Sequence, residues 1–480
     1  MKTILRIYFW CLLALLTIPL LASEQKTALD EYVAKPDAAY TFEHVATESQ
    51  SLYTTYFLTM TSQQWRNSSE VDRSVWEHEL SITVPLGSRL EDNRTAILFI
   101  NGGNNDDPPA TKTNEQIAAL SVLSQSVVAM VRQVPNQPLH FLEEDPSRSR
   151  SEDAVLAYSL RRFLDSCNSK ATVCDWEWPV HLAMTKAAIQ AMNTVQSFLH
   201  QRSVLIKDFV VVGGSKRGWT TWLTAAVDPR VKVIIPISFD MLNMEPQIDR
   251  HWAAYGGTYS EALDDYTELN VFCSARGTAS GQKLREIIDP YEYRGRLTMP
   301  KLIINSAGDQ FFLPDSSQLY YKDLLGDNRL RYTFNTDHSQ EQVETDILVR
   351  AVSWLNDIRR GKTLPGYAWE IQNDTLLVKT SGPVKAVSLW QATDAENPES
   401  RDFRLQTLGP AWTKQELQPL DEGRYGAALE TPAQGAWTAY SIEVVFAEDS
   451  LFEAEQVFTT DVVVQPRSLP RNPNDHCMNP

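Results

Sequence analysis

Apolar and polar residues alternate over residues 51–64 and 75–84, the period of strands with one buried face. Asn67-Ser68-Ser69 between them marks a turn, so the pair is expected to run antiparallel. From residue 95 the pattern becomes short apolar runs separated by segments of helical period. Strands are predicted over 95–100, 127–131, 231–238, 301–305 and 330–334, with a further apolar run at Val210-Val211-Val212. Helices are predicted over 115–125, 152–165 and 219–227. A longer helix opens at Pro179, with Met184, Ala188, Ala191, Val195 and Phe198 close to helical spacing. A last amphipathic helix carries Ile347, Ala351, Trp354, Leu355 and Ile358 and stops at Gly361. Strands alternating with helices in this way specify a mostly parallel sheet with helices on both faces.

The rhythm fails twice. Residues 241–298 hold Trp252, Tyr255, Tyr259, Tyr266, Tyr291 and Tyr293 without the alternation, and read as an insertion in the main sheet. After Leu364-Pro365-Gly366 short strands follow one another, over 369–371, 376–380, 386–391, 437–446 and 457–464, with Gly, Pro and Asn between them. That spacing predicts a small β-sandwich of immunoglobulin or fibronectin type III character over residues 365–465. The tail, 466–480, is rich in proline and asparagine and is expected to be loose unless Cys477 pins it. At 480 residues two domains are expected, the first over 23–364.

The N-terminus changes the picture of where the chain works. Lys2 and Arg6 precede an apolar run over 7–21, and the small residues Ala22 and Ser23 follow. This is the pattern of an export signal over residues 1–22, and it predicts an exported protein, periplasmic or secreted. No later stretch is apolar enough to span a bilayer, so no stable membrane span is expected after the signal is cleaved. Export leaves Cys167, Cys174, Cys273 and Cys477 in a compartment that permits disulfides. Cys167 and Cys174 close a short loop, but four cysteines allow three connectivities. No Cys/His cluster has metal-ligand spacing, so neither a metal nor a cofactor is expected. The net charge of −17 argues against a nucleic-acid partner.

The chemistry begins at Gly213-Gly214-Ser215-Lys216-Arg217-Gly218-Trp219. A buried-type strand, two glycines, a serine and an immediate helix make a nucleophile elbow, which lifts a serine hydroxyl above a sheet. Gly213 fits the first glycine of G-x-S-x-G, whereas Arg217 occupies the place of the second. Three further loops support the reading. Asn101-Gly102-Gly103-Asn104-Asn105 follows the 95–100 strand, where esterases and lipases offer a backbone N–H to an oxyanion. Asp309 follows the 301–305 strand and His338 the 330–334 strand. Ser215, Asp309 and His338 thus come in the order Ser…Asp…His of α/β-hydrolases, each beyond the carboxyl end of a strand. Asp240, Asp315 and Asp337 are rival acids; Asp309 is preferred by position, since Asp337 adjoins the histidine too closely to reach its far nitrogen.

Four motifs together resemble the PhoPQ-activated pathogenicity-related proteins, a family that includes the autocrine proliferation repressor proteins. They are Gly-Ser-Lys-Arg-Gly-Trp at 214–219, His-Trp-Ala-Ala-Tyr-Gly-Gly at 251–257, Asp-Pro-Tyr-Glu-Tyr-Arg at 289–294 and Asn-Thr-Asp-His-Ser at 335–339. The resemblance runs from about Leu29 to about Thr460 and implies a secreted α/β-hydrolase-like protein. It also accounts for Arg217, because Ser-Lys-Arg-Gly is that family's form of the elbow. The expected fold is therefore an α/β-hydrolase-type sheet with a cap insertion, followed by the C-terminal β-sandwich.

On this reading the chain is a serine hydrolase, an esterase or peptidase acting on a small-molecule ester or peptide. His338 takes the proton of Ser215, and Asp309 orients the imidazole. The N–H of Lys216 and one from Gly102, Gly103 or Asn104 face the oxyanion. The Lys216 and Arg217 side chains are expected in ion pairs near the helix. Trp219, Trp252, Tyr255 and Phe311 are expected to line the substrate pocket beneath the cap. Glu143, Glu144, Asp145, Glu152 and Asp153 lie near this edge, either to hold a peptide amine or as a solvated charge run. The C-terminal β-sandwich is open to a protein partner, to substrate presentation or to a stabilising role. The competing reading is a non-catalytic secreted binding or signalling protein on the same scaffold.

Overall fold

In the computed structural model, residues 26–87, 94–395, 397–448 and 454–478 are described. The expected export signal at 1–22 lies outside the described residues. Apolar runs buried on both faces form the middle of a nine-stranded sheet. Its strands are β1 (Thr41–Ser49), β2 (Tyr53–Gln64), β3 (Val75–Pro85), β4 (Thr95–Ile100) and β5 (Val128–Val131), then β6 (Asp208–Gly214), β7 (Val231–Ile237), β8 (Lys301–Ser306) and β9 (Asn328–Thr333). The spatial order is β1-β2-β3-β5-β4-β6-β7-β8-β9. The first three strands and the β3–β5 pair are antiparallel, as the alternation at the start of the chain requires; the rest are parallel.

The exchange of β4 and β5 matters for chemistry. It brings β4 beside β6, with Ile100 opposite Gly213, so the loops after both strands emerge together. Ile237 pairs with Ile304 and Ser306 with Thr333, which carries the same edge across β7, β8 and β9. Four chain segments far apart in sequence therefore converge at one rim.

Side-chain alternation assigns the two faces. Leu98, Val211, Ile234 and Leu330 share a core with residues of α3 (Asp153–Ser166), α4 (His181–His200) and α5 (Lys216–Val227); α1 (Ala28–Ala34) packs on α4. Ile97, Val210, Val212 and Ile235 share the other core with α2 (Glu115–Ser124) and with the helix at the end of the domain. The insertion between β7 and β8 is helical: α6 (Met244–Ala254), α7 (Asp264–Glu268), α8 (Val271–Ala275) and α9 (Ala279–Ile288). The closing helix is α10 (Glu344–Arg359). Helix α5 starts at Lys216, three residues before the start that the apolar pattern suggests, because its first turn is glycine and cations rather than apolar side chains. β1 escapes the pattern because it is an edge strand, nearly all of it exposed or half-exposed.

Beyond residue 365 come β10 (Gly366–Gln372), β11 (Thr375–Ser381), β12 (Val384–Asp394), β13 (Thr413–Glu416), β14 (Arg424–Ala428), β15 (Trp437–Phe446), β16 (Gln456–Thr459) and β17 (Val463–Gln465). They form two antiparallel sheets, β10-β11-β14 and β13-β12-β15-β16, with β17 also on β15. Leu376, Leu389, Ile442 and Phe458 belong to the same apolar core as Ile97, Val212 and Trp354. The Thr459 hydroxyl accepts from the Tyr332 N–H at 3.0 Å. The C-terminal sheets share this apolar core with the nine-stranded sheet.

Candidate active site

Strand β6 ends in Gly213 and Gly214, and Ser215 turns the chain into α5 with φ 57° and ψ −128°. That backbone region costs a residue with a side chain about 1–3 kcal/mol and persists only where its surroundings enforce it. The enforcement comes from crowding between strand and helix. A Cβ on Gly213 would stand 2.5 Å from the Arg217 carbonyl oxygen, and one on Gly218 would stand 2.9 Å from that of Ile237. The second glycine of the elbow has moved one place, to Gly218, because there the new helix passes the end of β7.

The hydroxyl of Ser215 donates to His338 Nε2 at 2.7 Å, and His338 Nδ1 donates to Asp309 Oδ2 at 2.8 Å. A carboxylate only accepts, which fixes the imidazole proton on Nδ1 and leaves Nε2 free for the serine proton. The other oxygen of Asp309 accepts from the N–H groups of Phe311 and Phe312, at 2.7 and 3.3 Å. The rings of the same two phenylalanines flank the imidazole, with centroids 4.4 and 5.8 Å away. The backbone of His338 is held as well: its N–H donates to Gln310 Oε1 at 3.1 Å, and its carbonyl accepts from the Ser238 hydroxyl at 2.8 Å.

The rival acids are occupied elsewhere. Asp240 accepts from the hydroxyls of Tyr320 and Tyr332, at 2.6 and 2.5 Å. Its burial pushes the carboxyl up to about 7, against the two tyrosine hydrogen bonds. Asp315 is paired with Arg250 and Arg401. Asp337 caps the turn at Ser339 and Gln340.

At the proposed oxyanion loop, the Gly102 N–H donates to Asn101 Oδ1 at 2.8 Å, and the Asn104 N–H to Asp107 Oδ2 at 3.0 Å. The Gly103 N–H has no hydrogen-bond partner among the described residues. The loop is braced by charge. Arg217 donates from Nε to the Val134 carbonyl at 2.5 Å and grips Glu152 with both terminal nitrogens. Lys216 Nζ lies 2.8 Å from Glu152 and 2.9 Å from Asp153. Gln137 joins Glu152 to the Gly103 carbonyl, donating to them at 2.5 and 3.2 Å. Burial opposes the charge on Glu152, but the hydrogen bond to Arg217 and the positive charges of Lys216 and Arg217 prevail and hold the carboxyl well below the usual range. The expected ion pairs of Lys216 and Arg217 exist; the central part of Glu152 in them was not legible in a run of acidic residues.

The acidic residues near this edge are all engaged. Glu143 pairs with Arg162, Glu144 with Arg150, and Glu152 and Asp153 with Lys216. Asp145 caps the turn at Ser147. No free pair of carboxylates faces the serine among them.

Ser215 opens on a cavity of about 130 Å³. Trp219 and Phe311 line it, as do Phe239 and Phe312 and the insertion's Met244, Ile248 and Phe272. Trp219 also donates from Nε1 to the Ile288 carbonyl at 2.5 Å, tying α5 to the end of α9. Trp252 and Tyr255, expected in the pocket, do not line it. Tyr255 is buried beside His251, with Arg404 over its ring, and Trp252 lies against the His476 ring. Both sit at the C-terminal end of α6, near the C-terminal segments, while the cavity takes Met244, Glu245, Ile248 and Asp249 from its first turns. Spacing in the sequence locates the insertion, but position along α6 decides what lines the cavity: Trp252 and Tyr255 continue the stripe of Met244 and Ile248 one or more turns further along, beyond the cavity.

Two disulfides are present, Cys167–Cys174 and Cys273–Cys477. Cys273, His476 and Cys477 have ligand atoms within 4.8 Å of one another. Both sulfurs are joined in the disulfide and offer no thiolate to a metal. Among the described residues, no helix is long and apolar enough to cross a membrane.

The chain belongs to the PhoPQ-activated pathogenicity-related protein family, whose sequence profile matches residues 29–404. It is 34% identical over 483 residues to autocrine proliferation repressor protein A of Dictyostelium discoideum, covering 96% of this chain and 94% of that one. Among solved structures it is similar to an acetyl xylan esterase from Paenibacillus sp. R4, at 15% identity and a TM-score of 0.43, over 68% of this chain and 91% of that one. A glucuronoyl esterase from Solibacter usitatus matches at 12% identity and a TM-score of 0.37, over 67% and 90%.

Proposed function

We propose that this member of the PhoPQ-activated pathogenicity-related family is an exported serine hydrolase whose substrate is an ester with an apolar acyl group. The observation that carries the reading is the unbroken line Ser215–His338–Asp309, with the serine held in strained backbone at a helix N-terminus. A binding protein has no use for that strain. In the reaction, Ser215 Oγ attacks the carbonyl carbon as its proton passes to His338 Nε2, and Asp309 stabilises the resulting imidazolium. The oxygen that gains the electron pair is met by the Gly103 and Lys216 N–H groups, each of the kind worth about 3 kcal/mol to such a transition state. Collapse expels the alcohol, which takes the proton back from Nε2, and water repeats the sequence on the acyl-enzyme.

The walls favour an ester over a peptide held by its amine. The acidic residues at the rim are paired or capping, so none is left to bind a free ammonium. The cavity itself is lined largely by Met, Ile, Leu and Phe. Export is supported by the two disulfides, which form in an oxidising compartment.

The test is labelling of the purified protein with a fluorophosphonate, followed by turnover of p-nitrophenyl esters. Labelling confined to Ser215 and lost in Ser215→Ala is the expected result. Folded protein that stays unlabelled across the neutral pH range would overturn the assignment in favour of a non-catalytic signalling or binding protein.

A further inference from the structure

Among the described residues, those around the cavity fall between Asp153 and Phe312 except one, His476, which follows the short 3₁₀ turn Pro473–Asp475. It is 1% exposed. Its Nδ1 donates to Asp249 of α6 at 2.6 Å, and its Nε2 is hydrogen-bonded to the Tyr259 hydroxyl. Its ring lies tilted against Trp252, centroids 5.4 Å apart. The next residue, Cys477, is disulfide-bonded to Cys273 of α8. Arg276, at the end of α8, donates to the same Asp249 at 2.8 Å and to the Pro473 carbonyl at 3.5 Å. These partners all lie in the insertion or in the C-terminal strap itself, residues 473–477, and none in the loops of Ser215, Asp309 or His338. His476 is thus held on the insertion's side of the cavity.

We propose that His476 is the end wall of the acyl pocket and sets the length of apolar group that the site accepts, with the Cys273–Cys477 disulfide holding it in place. The acyl identity of the ligand rests on the serine-hydrolase reading above; the wall rests on shape alone. Its firmness has a physical cause. Both ring nitrogens are already hydrogen-bonded, so the imidazole cannot turn aside without leaving a buried polar atom unpaired. The charged groups around it are paired with one another, Asp249 with Arg276 and Glu245 with Arg285, so they offer a ligand no free charge. What enters is an uncharged chain running past Met244, Ile248 and Phe272. Each methylene that enters such walls should tighten binding about fourfold, until the chain meets the ring.

The experiment uses full-length Ser215→Ala protein and straight-chain primary fatty amides of increasing length, with affinity read by calorimetry. Affinity should climb about fourfold per methylene to a limit and then stop climbing. In a His476→Ala background the limit should move to chains about two methylenes longer, the space left by the imidazole. If that variant fails to fold, Cys273→Ser with Cys477→Ser frees the strap while keeping the histidine, and should shift or blur the limit. Mild thiol reduction of the parent protein should do the same. An identical limit in every folded form, or no binding at any length, overturns the proposal. Fluorophosphonate labelling of the protein with Ser215 intact separates the two readings. A pocket with the expected limit but no labelling removes the hydrolase and keeps the wall; labelling with an unmoved limit does the reverse.

Discussion

Arg217 donates two hydrogen bonds to the Glu152 carboxylate, Nη1 to Oε2 and Nη2 to Oε1, each at 2.7 Å. The guanidinium fills the space beneath Gly102, where a Cβ would come within 2.7 Å of Nη2. The ion pair thus ties the helix that starts after Ser215 to Glu152 at the start of α3, and Gln137 carries the link on to the Gly103 carbonyl. Arg217→Met should destabilise the protein by about 2 kcal/mol, less than a fully buried pair because Glu152 is partly exposed. It should slow fluorophosphonate labelling of Ser215 more than tenfold. Arg217→Lys should not restore the rate, since an ammonium cannot make the fork and reach Val134 as well. Urea unfolding and labelling time courses measure both effects.

His338→Ala and Asp309→Asn should each leave a folded protein and lower ester turnover by roughly 10⁴-fold or more, the scale seen when a member of such a triad is lost. The double variant should be little worse than the single His338→Ala, because the residues act as one unit. Additive losses in kcat/KM would show that Asp309 acts separately from the imidazole.

Asn335 takes a left-handed φ of 57° just before the base loop, and its side chain both donates to and accepts from the Trp412 backbone, at 2.9 Å each. Phe334 stacks on Trp390 at 4.6 Å, and the Leu405 N–H donates to the Gly308 carbonyl at 2.9 Å beside the acid. The C-terminal sheets therefore brace the loops of both His338 and Asp309. Asn335→Gly keeps the backbone freedom but loses two hydrogen bonds, so it should cost about 2 kcal/mol of stability. It should also lower kcat with little change in KM. An unchanged kcat in a destabilised variant would separate the brace from the chemistry.

Asp240 gives a pH signature independent of catalysis. Burial raises its carboxyl to about 7, so the folded protein keeps a proton that the unfolded chain releases near 3.8. Between those values the folded state binds more protons, and the contribution to stability falls as pH rises, by up to about 1.4 kcal/mol per pH unit. Asp240→Asn should flatten the profile and gain stability over the parent above pH 7. Parallel profiles from pH 4 to 8 would count against a protonated Asp240.

The order of strands and helices, the antiparallel opening, the nucleophile turn and the rank Ser215, Asp309, His338 were legible in the chain. Each rests on local signals: apolar period, glycine placement and position beyond a strand end. The acid could be chosen because a loop after β8 reaches an imidazole after β9, whereas Asp337, one residue from His338, cannot fold back to it. Other features depend on pairs of residues remote in sequence. Glu152 looked like one carboxylate in a charged run until the fold placed Arg217, Lys216 and Gln137 around it. Trp252 and Tyr255 drew notice as aromatics in an insertion, yet they lie at the far end of the stripe whose first turns, Met244 and Ile248, meet the cavity. Nothing about His476 announced a place beside the cavity beyond its neighbour Cys477. Local patterning determined which elements form and in what order, because backbone propensity and burial act over a few residues. Only the tertiary structure decided which charges meet and which side chains reach the cavity, because those depend on strand register and on where each element comes to lie against segments remote in sequence.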